Sequence, residues 1–404
     1  MNKNTVMPKM LLGTELKDKM MILPDFNPKD ISMLSPEERL MRLQDLYRLY
    51  IPSTMSIEIY SKLYMALLHS LQKKRSSSAI KQTNENFRAI RQMPSNGIIG
   101  GADSFTIIGD SGIGKSSAIR RCTDIITEQI QVKEIVPFLL VQCPFDSSPK
   151  NLLLEMLRTI DEALDSEYYM CATRERATTD MLIGSVSQIA LNSIGVLIID
   201  EIQNVIRSKN GRILISLLTQ LINNSGISIC MVGTPECTSF FEQEMQLARR
   251  SLGLSYGPME YNDTFRGICR NILRYQYTLS KIEPSEELFS WLFEHTNGNI
   301  SILLLLIHDA QELSILSGTD ALCIPKLEQA YQQRLSFLHD FIRPKFISAR
   351  TYKPKQKDKT FKKTGSLLPD HSVSLNCLVE QSKRLKTDLV DILKNQITID
   401  EVKV

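Results

Sequence analysis

Phe105-Thr106-Ile107-Ile108-Gly109-Asp110-Ser111-Gly112-Ile113-Gly114-Lys115-Ser116-Ser117 reads as a short β-branched strand running into G-x-x-x-x-G-K-S and then into a helical stretch. Glycines at this turn let backbone amides close around phosphates, Lys115 reaches the β and γ phosphates, and the Ser116 hydroxyl ligates Mg²⁺. Gly109, Asp110, Ser111, Gly112, Ile113, Gly114, Lys115, Ser116 and Ser117 are therefore the candidate nucleotide-binding residues, with ATP and Mg²⁺ the expected ligands. A chance glycine-rich turn is disfavoured because the strand before the loop and the helix after it are both of the right kind.

A phosphate loop needs acids across from it. Val196-Leu197-Ile198-Ile199-Asp200-Glu201 is a buried-strand run that ends in two. Asp200 can hold the Mg²⁺ shell beside Ser116, and Glu201 can polarise a water for attack on the γ-phosphate. A metabolite kinase has no general need of the second acid, so the pair favours hydrolysis. After the apolar run Ile227 to Val232, Gly233-Thr234-Pro235-Glu236 places a hydroxyl at a strand's C-terminal edge, where nucleotide sites of open α/β sheets lie. Thr234 is a candidate γ-phosphate sensor, weighed against a plain turn-forming Thr-Pro. Arg249 and Arg250 follow, beyond the sheet, where a guanidinium reaches a neighbouring subunit's γ-phosphate more easily than its own. A solvated basic pair is the alternative there.

Outward from these motifs, Phe105 to Ile108, Ile135 to Val141, Val196 to Ile199 and Ile227 to Val232 are apolar on both faces, which suggests a parallel sheet covered by helices. Ser35-Pro36-Glu37-Glu38 is a helix start with a capping hydroxyl and a glutamate three residues on, leading into a stripe at Leu40, Leu43, Leu46 and Leu49. A second helix is expected from about Ser56 to Lys74. The pattern from about 262 to 342 is helical, and Arg343 to Lys363 is strongly basic with two prolines. The expected organisation is an N-terminal helical extension over 1–95, an α/β core over 96–261, a helical lid over 262–342 and a basic linker and tail over 343–404.

Composition sets the bounds. At about 150 residues per domain, 404 residues suggest two or three units. The apolar fraction of 43% and charged fraction of 23% argue against wholesale disorder. A net charge of +3 is too small to announce a nucleic-acid binder by itself, so any basic surface must be local. The eight cysteines form no Cys-x-x-Cys pair and have no histidine at zinc spacing, the pattern of reduced thiols in a cytosolic protein. The most apolar run, Ile300 to Ile307, is only eight residues and too short for a bilayer, and no membrane partner is expected.

The phosphate loop, the acidic strand end, Thr234 and the arginine pair, in that order and with a helical unit behind them, resemble AAA+ ATPases. Val-Leu-Ile-Ile-Asp-Glu-Ile-Gln at 196 to 203, Val-Gly-Thr-Pro at 232 to 235 and Leu-Ala-Arg-Arg-Ser-Leu-Gly at 247 to 253 resemble more narrowly the TnsC/TniB transposition regulators. Tyr50-Ile51-Pro52 and Ile324 to Leu338 resemble the family's N-terminal region and the end of its lid. The resemblance covers roughly 45 to 345. It implies a P-loop NTPase core whose ATP site holds Lys115, Ser116, Asp200 and Glu201, with Thr234 as sensor and Arg249 or Arg250 as the finger acting in trans. It implies self-assembly as a ring or filament on double-stranded DNA, and contacts with a transposase and a target-selecting protein. The expected location is the bacterial cytoplasm, on the nucleoid when bound. One departure stands out: Asn297-Gly298-Asn299-Ile300-Ser301 occupies the place of the second sensor arginine.

For DNA, the family's pattern points to the loop Ser147-Ser148-Pro149-Lys150 and the segment Thr173 to Thr178, making Lys150, Arg174, Arg176 and Thr178 the candidate contacts. Lysine and arginine tracking phosphates give affinity without sequence preference, and repetition around an assembly multiplies each weak contact. Ordinary surface charge is the plain alternative for Lys150 and Arg174. Two other functions compete: a helicase loader or replication initiator, and a signalling or defence NTPase that does not touch DNA. An initiator should carry a winged-helix unit after the lid, for which 345 to 404 is too short and too basic at its start.

Overall fold

All four strand signals form strands, and they pair in parallel with a fifth. β1 spans Phe105–Gly109, β2 Val136–Gln142, β3 Ile194–Asp200, β4 Ser228–Gly233 and β5 Leu254–Tyr256. Their order across the sheet is β2-β3-β4-β1-β5, and every pairing is parallel. The computed structural model describes residues 7–75, 104–130, 132, 134–238 and 253–339. All of these lie in the first of two units, Met1–Ile347. Arg249, Arg250 and the basic segment Arg343 to Lys363 lie outside the described residues, as does the tail.

Alternation along the strands explains why both faces are covered. Leu197, Ile199, Ile229 and Met231 point into one cluster with the helices Pro149–Leu164, Thr179–Ser193 and Gly211–Ser225. Val196, Ile198, Cys230 and Val232 point into the other, with Gly13–Met20, Thr54–Arg75 and Lys115–Thr127. Burying each such Leu, Ile or Val stabilises by roughly 1.5–3 kcal/mol relative to exposure. The long N-terminal helix lies so close to β3 that a Cβ at Gly195 would sit 2.4 Å from Leu67 Cδ1 and 2.3 Å from the Pro137 carbonyl oxygen. Such a sheet, with the phosphate loop after β1 and the acids after β3, is the AAA+ α/β fold.

A third cluster gathers the helices Asp263–Ile272, Glu286–Thr296, Ile300–Leu316 and Ile324–Arg334 around Phe265, Leu292, Leu306 and Ile307. Ile31, Leu43, Leu46 and Leu49 belong to this cluster too, whereas Ile59 to Leu71 belong to the sheet. The N-terminal segment therefore packs first on the α/β core through Leu16 and Met20, then on the helical lid, and then on the core again. No described helix is long and apolar enough to cross a membrane.

One expectation needs correcting, and one strand goes beyond the sequence reading. The helix begun by Ser35 has both halves of its capping box, but the α-helix ends at Arg42 and continues as a 3₁₀ turn over Leu43–Arg48. In the 3₁₀ turn Leu43 and Leu46 stand one above the other on the edge buried in the lid cluster. β5 gives no signal in the sequence, because three residues are too few for alternation and it is at most half-buried where it lies beside β1.

Candidate nucleotide-binding site

The register of the sheet brings the motifs together. β4 lies between β1 and β3, with Ile108 opposite Gly233 and Ile199 opposite Met231. The loop after β1, the acids after β3 and Thr234 after β4 therefore meet at the strands' C-terminal edge, where open α/β sheets hold nucleotides. Ser111, Gly112, Gly114, Lys115, Ser116 and Ser117 line one side of a cleft of about 200 Å³, and Asp200, Glu201, Gln203 and Thr234 line the other. Gly112 and Gly114 adopt φ of +81° and +93°, angles that turn the loop tightly and cost a side-chain-bearing residue strain.

Within the cleft, Lys115 Nζ donates to the carbonyl oxygens of Gly109 at 2.6 Å and Asp110 at 2.8 Å. Burial pushes its ammonium below the ordinary lysine range, while Asp200, Glu201 and Asp110 favour the charged form. With two of three donors engaged, one N–H is left for an anion. The Ser116 hydroxyl donates to Asp200 Oδ2 at 2.7 Å, and Asp200 Oδ1 accepts from the Glu201 amide at 2.8 Å. A hydroxyl and a carboxylate in contact beside a phosphate loop are hard oxygen donors of the kind Mg²⁺ takes. Glu201 follows with φ of +58°, a strained backbone that swings its carboxylate out of the strand direction. That carboxylate accepts a short hydrogen bond from Gln203 Nε2.

Two buried acceptor-bearing groups in this cleft lack partners among the described residues, Thr234 Oγ1 and Gln203 Oε1. Leaving such groups unpaired costs about 1–3 kcal/mol each, a cost a ligand at the cleft would remove. A triphosphate with its metal and water supplies what these atoms lack, so the residues present fit ATP and Mg²⁺.

A second cavity of about 450 Å³ adjoins the first and shares Gly114, Ser117 and Ser301 with it. Tyr50 and Ile51 from the N-terminal segment wall it, with Tyr256 at the end of β5 and Met259 beyond it, and Ile268 and Leu304 from the lid. Its size and apolar lining suit a nucleoside. No local sequence pattern marks these residues, because they come from three separate stretches that only folding unites. Where the second sensor arginine was missing, Asn299 caps the helix Ile300–Leu316 and its Nδ2 donates to the Ser111 carbonyl at 2.8 Å. The Ser301 amide donates to the Gly112 carbonyl at 3.1 Å, so the lid is fastened to the phosphate loop itself.

The candidate DNA contacts stand apart from this cleft. Lys150 is exposed but lies in the first turn of the helix Pro149–Leu164, with Ser148 as its cap, and not in a loop as expected. Arg174 and Arg176 are exposed at and just beyond the end of Tyr168–Arg174. Thr178 caps the next helix, its Oγ1 accepting from the Met181 amide at 3.4 Å.

Three solved structures illustrate the fold likeness. The Aeropyrum pernix ORC2 protein in its ADP form is 15% identical over 64% of this chain and 68% of that one, with a TM-score of 0.45. The Aeropyrum pernix ORC1 protein in complex with DNA is 14% identical over 64% and 65%, with a TM-score of 0.44. Domain III of the Thermotoga maritima replication initiation protein DnaA is 17% identical over 66% and 92%, with a TM-score of 0.38. The sheet order and the loop, not these likenesses, carry the assignment of the fold. Comparison with curated proteins gives no match. The family model described as Bacterial TniB protein matches residues 70–252, from the end of the long N-terminal helix to the residue before Gly253, and that span is what the chain shares with TniB proteins.

Proposed function

We propose that this protein is an ATP-dependent regulator of DNA transposition, which binds ATP and Mg²⁺, assembles on double-stranded DNA, and links a target-selecting protein to the transposase. The observation that carries the nucleotide half is the cleft in which Lys115, the Ser116–Asp200 pair, Glu201 and the unpartnered Thr234 hydroxyl converge. The similarity to the TniB family model over 70–252 supports the transposition half.

In this reading Lys115 and the loop amides bind the phosphates, and Ser116 and Asp200 hold the metal. Mg²⁺, when bound, neutralises charge on the β and γ phosphates. Glu201 takes a proton from the attacking water and Thr234 contacts the γ-phosphate. Arg249 or Arg250 of a neighbouring subunit completes the site, so that ATP favours the assembly and hydrolysis dismantles it. Lys150, Arg174 and Arg176 contribute phosphate contacts that gain strength by repetition.

Mixing Lys115→Ala or Glu201→Gln protein with duplex DNA and ATP separates the steps. The lysine variant should lose nucleotide-dependent DNA binding, and the glutamate variant should hold ATP and DNA without releasing them. Normal turnover by Glu201→Gln would remove that residue from the role of base. Electron microscopy with duplex DNA and a non-hydrolysable ATP analogue should show rings or filaments; a monomer under saturating analogue would end the assembly half of the proposal.

A further inference from the structure

We propose that Gln203 is a positioning residue for ATP hydrolysis, which holds the Glu201 carboxylate by its amide nitrogen and offers its carbonyl oxygen to the second proton of the attacking water. The proposal rests on the reading of the cleft as an ATPase site and assigns a group that the reading leaves without a task.

Glu201 is exposed and lies at the turn after β3, where a carboxylate free to rotate would spend little time in a productive place. Gln203, two residues on, is only 8% exposed. The turn between them is fixed by the Ile202 amide, which donates to the Val232 carbonyl at 3.0 Å, and by the Asn204 amide, which donates to the Glu201 carbonyl at 3.1 Å. The Gln203 side chain bends back so that Nε2 donates to Glu201 Oε2. An ionised carboxylate only accepts hydrogen bonds, so this contact settles which way the amide faces. Its carbonyl oxygen is then the remaining end of the amide.

That oxygen, Oε1, is buried and meets no donor among the described residues. Space for it comes from Gly233, where a Cβ would lie 3.1 Å from Oε1. Gln203 lines the same cleft as Lys115, Ser116, Glu201 and Thr234. A buried amide with one end on a carboxylate and the other end unpaired matches a molecule that offers two protons. Water held by Glu201 through one proton and by Gln203 through the other has its lone pair turned away from both. In the step this serves, the water oxygen bonds to the γ-phosphorus while the bond from that phosphorus to the β–γ bridging oxygen breaks. Glu201 receives the proton, and the products are ADP and inorganic phosphate.

Gln203→Met keeps length and volume but removes both polar ends, so packing is retained. Steady-state hydrolysis with and without duplex DNA, binding of a fluorescent ATP analogue and thermal unfolding are measured on the full chain. The expected result is a kcat lowered about 10- to 100-fold, the scale of a misplaced general base, with analogue affinity within twofold and Tm within about 2 °C of wild type. Gln203→His, which can donate with one ring nitrogen and accept with the other, should recover at least threefold over Met. Gln203→Glu, which keeps shape and acceptors but repels Glu201, should be as slow as Met and provides the same readout if Met impairs folding. Wild-type kcat in Gln203→Met overturns the proposal, as does parallel loss of rate, affinity and Tm in both Met and Glu variants. Absence of hydrolysis by the wild-type chain overturns the ATPase reading itself, which distinguishes that failure from this one.

Discussion

Asp320→Asn tests how the N-terminal segment is fastened to the lid. Arg39, in the helix Pro36–Arg42, is 2% exposed and forms a two-pronged pair with Asp320: NH2 donates to Oδ2 at 2.7 Å, NH1 donates to Oδ1, and NH1 also reaches the Tyr277 carbonyl at 3.2 Å. Asparagine keeps the shape and one acceptor but leaves the guanidinium buried without its countercharge. Breaking a buried pair in this way costs about 3–5 kcal/mol. Asp320 retains 19% side-chain exposure, so the lower end, about 3 kcal/mol, applies. For a unit of this size that corresponds to roughly 6 °C in Tm, at about 2 °C per kcal/mol.

The effect carries a pH signature. The hydrogen bond and charge of Arg39 hold the Asp320 carboxyl below the ordinary aspartate value. A lowered folded-state value means that the unfolded chain takes up the proton first. The contribution is then full above the ordinary value, about 3.9, and is lost as pH falls through the lowered one. Urea unfolding of wild type and variant at pH 7, 5, 4 and 3 should give a gap of about 3 kcal/mol that is constant down to pH 5 and closes in stronger acid. A gap below about 1 kcal/mol at pH 7, or one that widens with acid, would refute the account of this pair.

Thr234→Val removes the unpartnered hydroxyl while keeping the branched shape, and should lower kcat at least about tenfold with analogue affinity nearly unchanged; equal loss in both would make the hydroxyl a binding group only. Leu304→Trp should fill part of the cavity beside Ile51 and Ile268 and weaken binding of an ATP analogue by tenfold or more, read by fluorescence titration, with far-ultraviolet circular dichroism unchanged. Gly195→Ala forces a methyl against the Pro137 carbonyl and Leu67, and should cost about 1–3 kcal/mol in urea unfolding; a neutral result would mean that the N-terminal helix does not rest on β3 as described.

Much of the nucleotide site was legible because its signals are local. Four strands, the loop from Gly109 to Ser116 and the acids at 200 and 201 each occupy a few consecutive residues, and alternation or motif spacing reads them directly. The limits of that reading are equally physical. Leu40 to Leu49 looked like one helical stripe because sequence records spacing and not the number of residues per turn. Lys150 looked like a loop residue because Pro149 marks a helix start as readily as a turn.

Sequence alone determined which chemistry this chain carries, since a phosphate loop and an acidic strand end are runs of neighbours whose backbone fixes their geometry. The folded chain decided what surrounds that chemistry. Tyr50, Tyr256 and Leu304 wall one cavity, Asn299 holds the phosphate loop, and Arg39 finds Asp320, although each set is far apart along the chain. Such contacts follow from how whole elements pack to bury their apolar faces, and no local pattern encodes them. Gln203 falls between the two cases: its place in the sequence lies next to the motif, but its task became visible only with one end on Glu201 and the other unpaired.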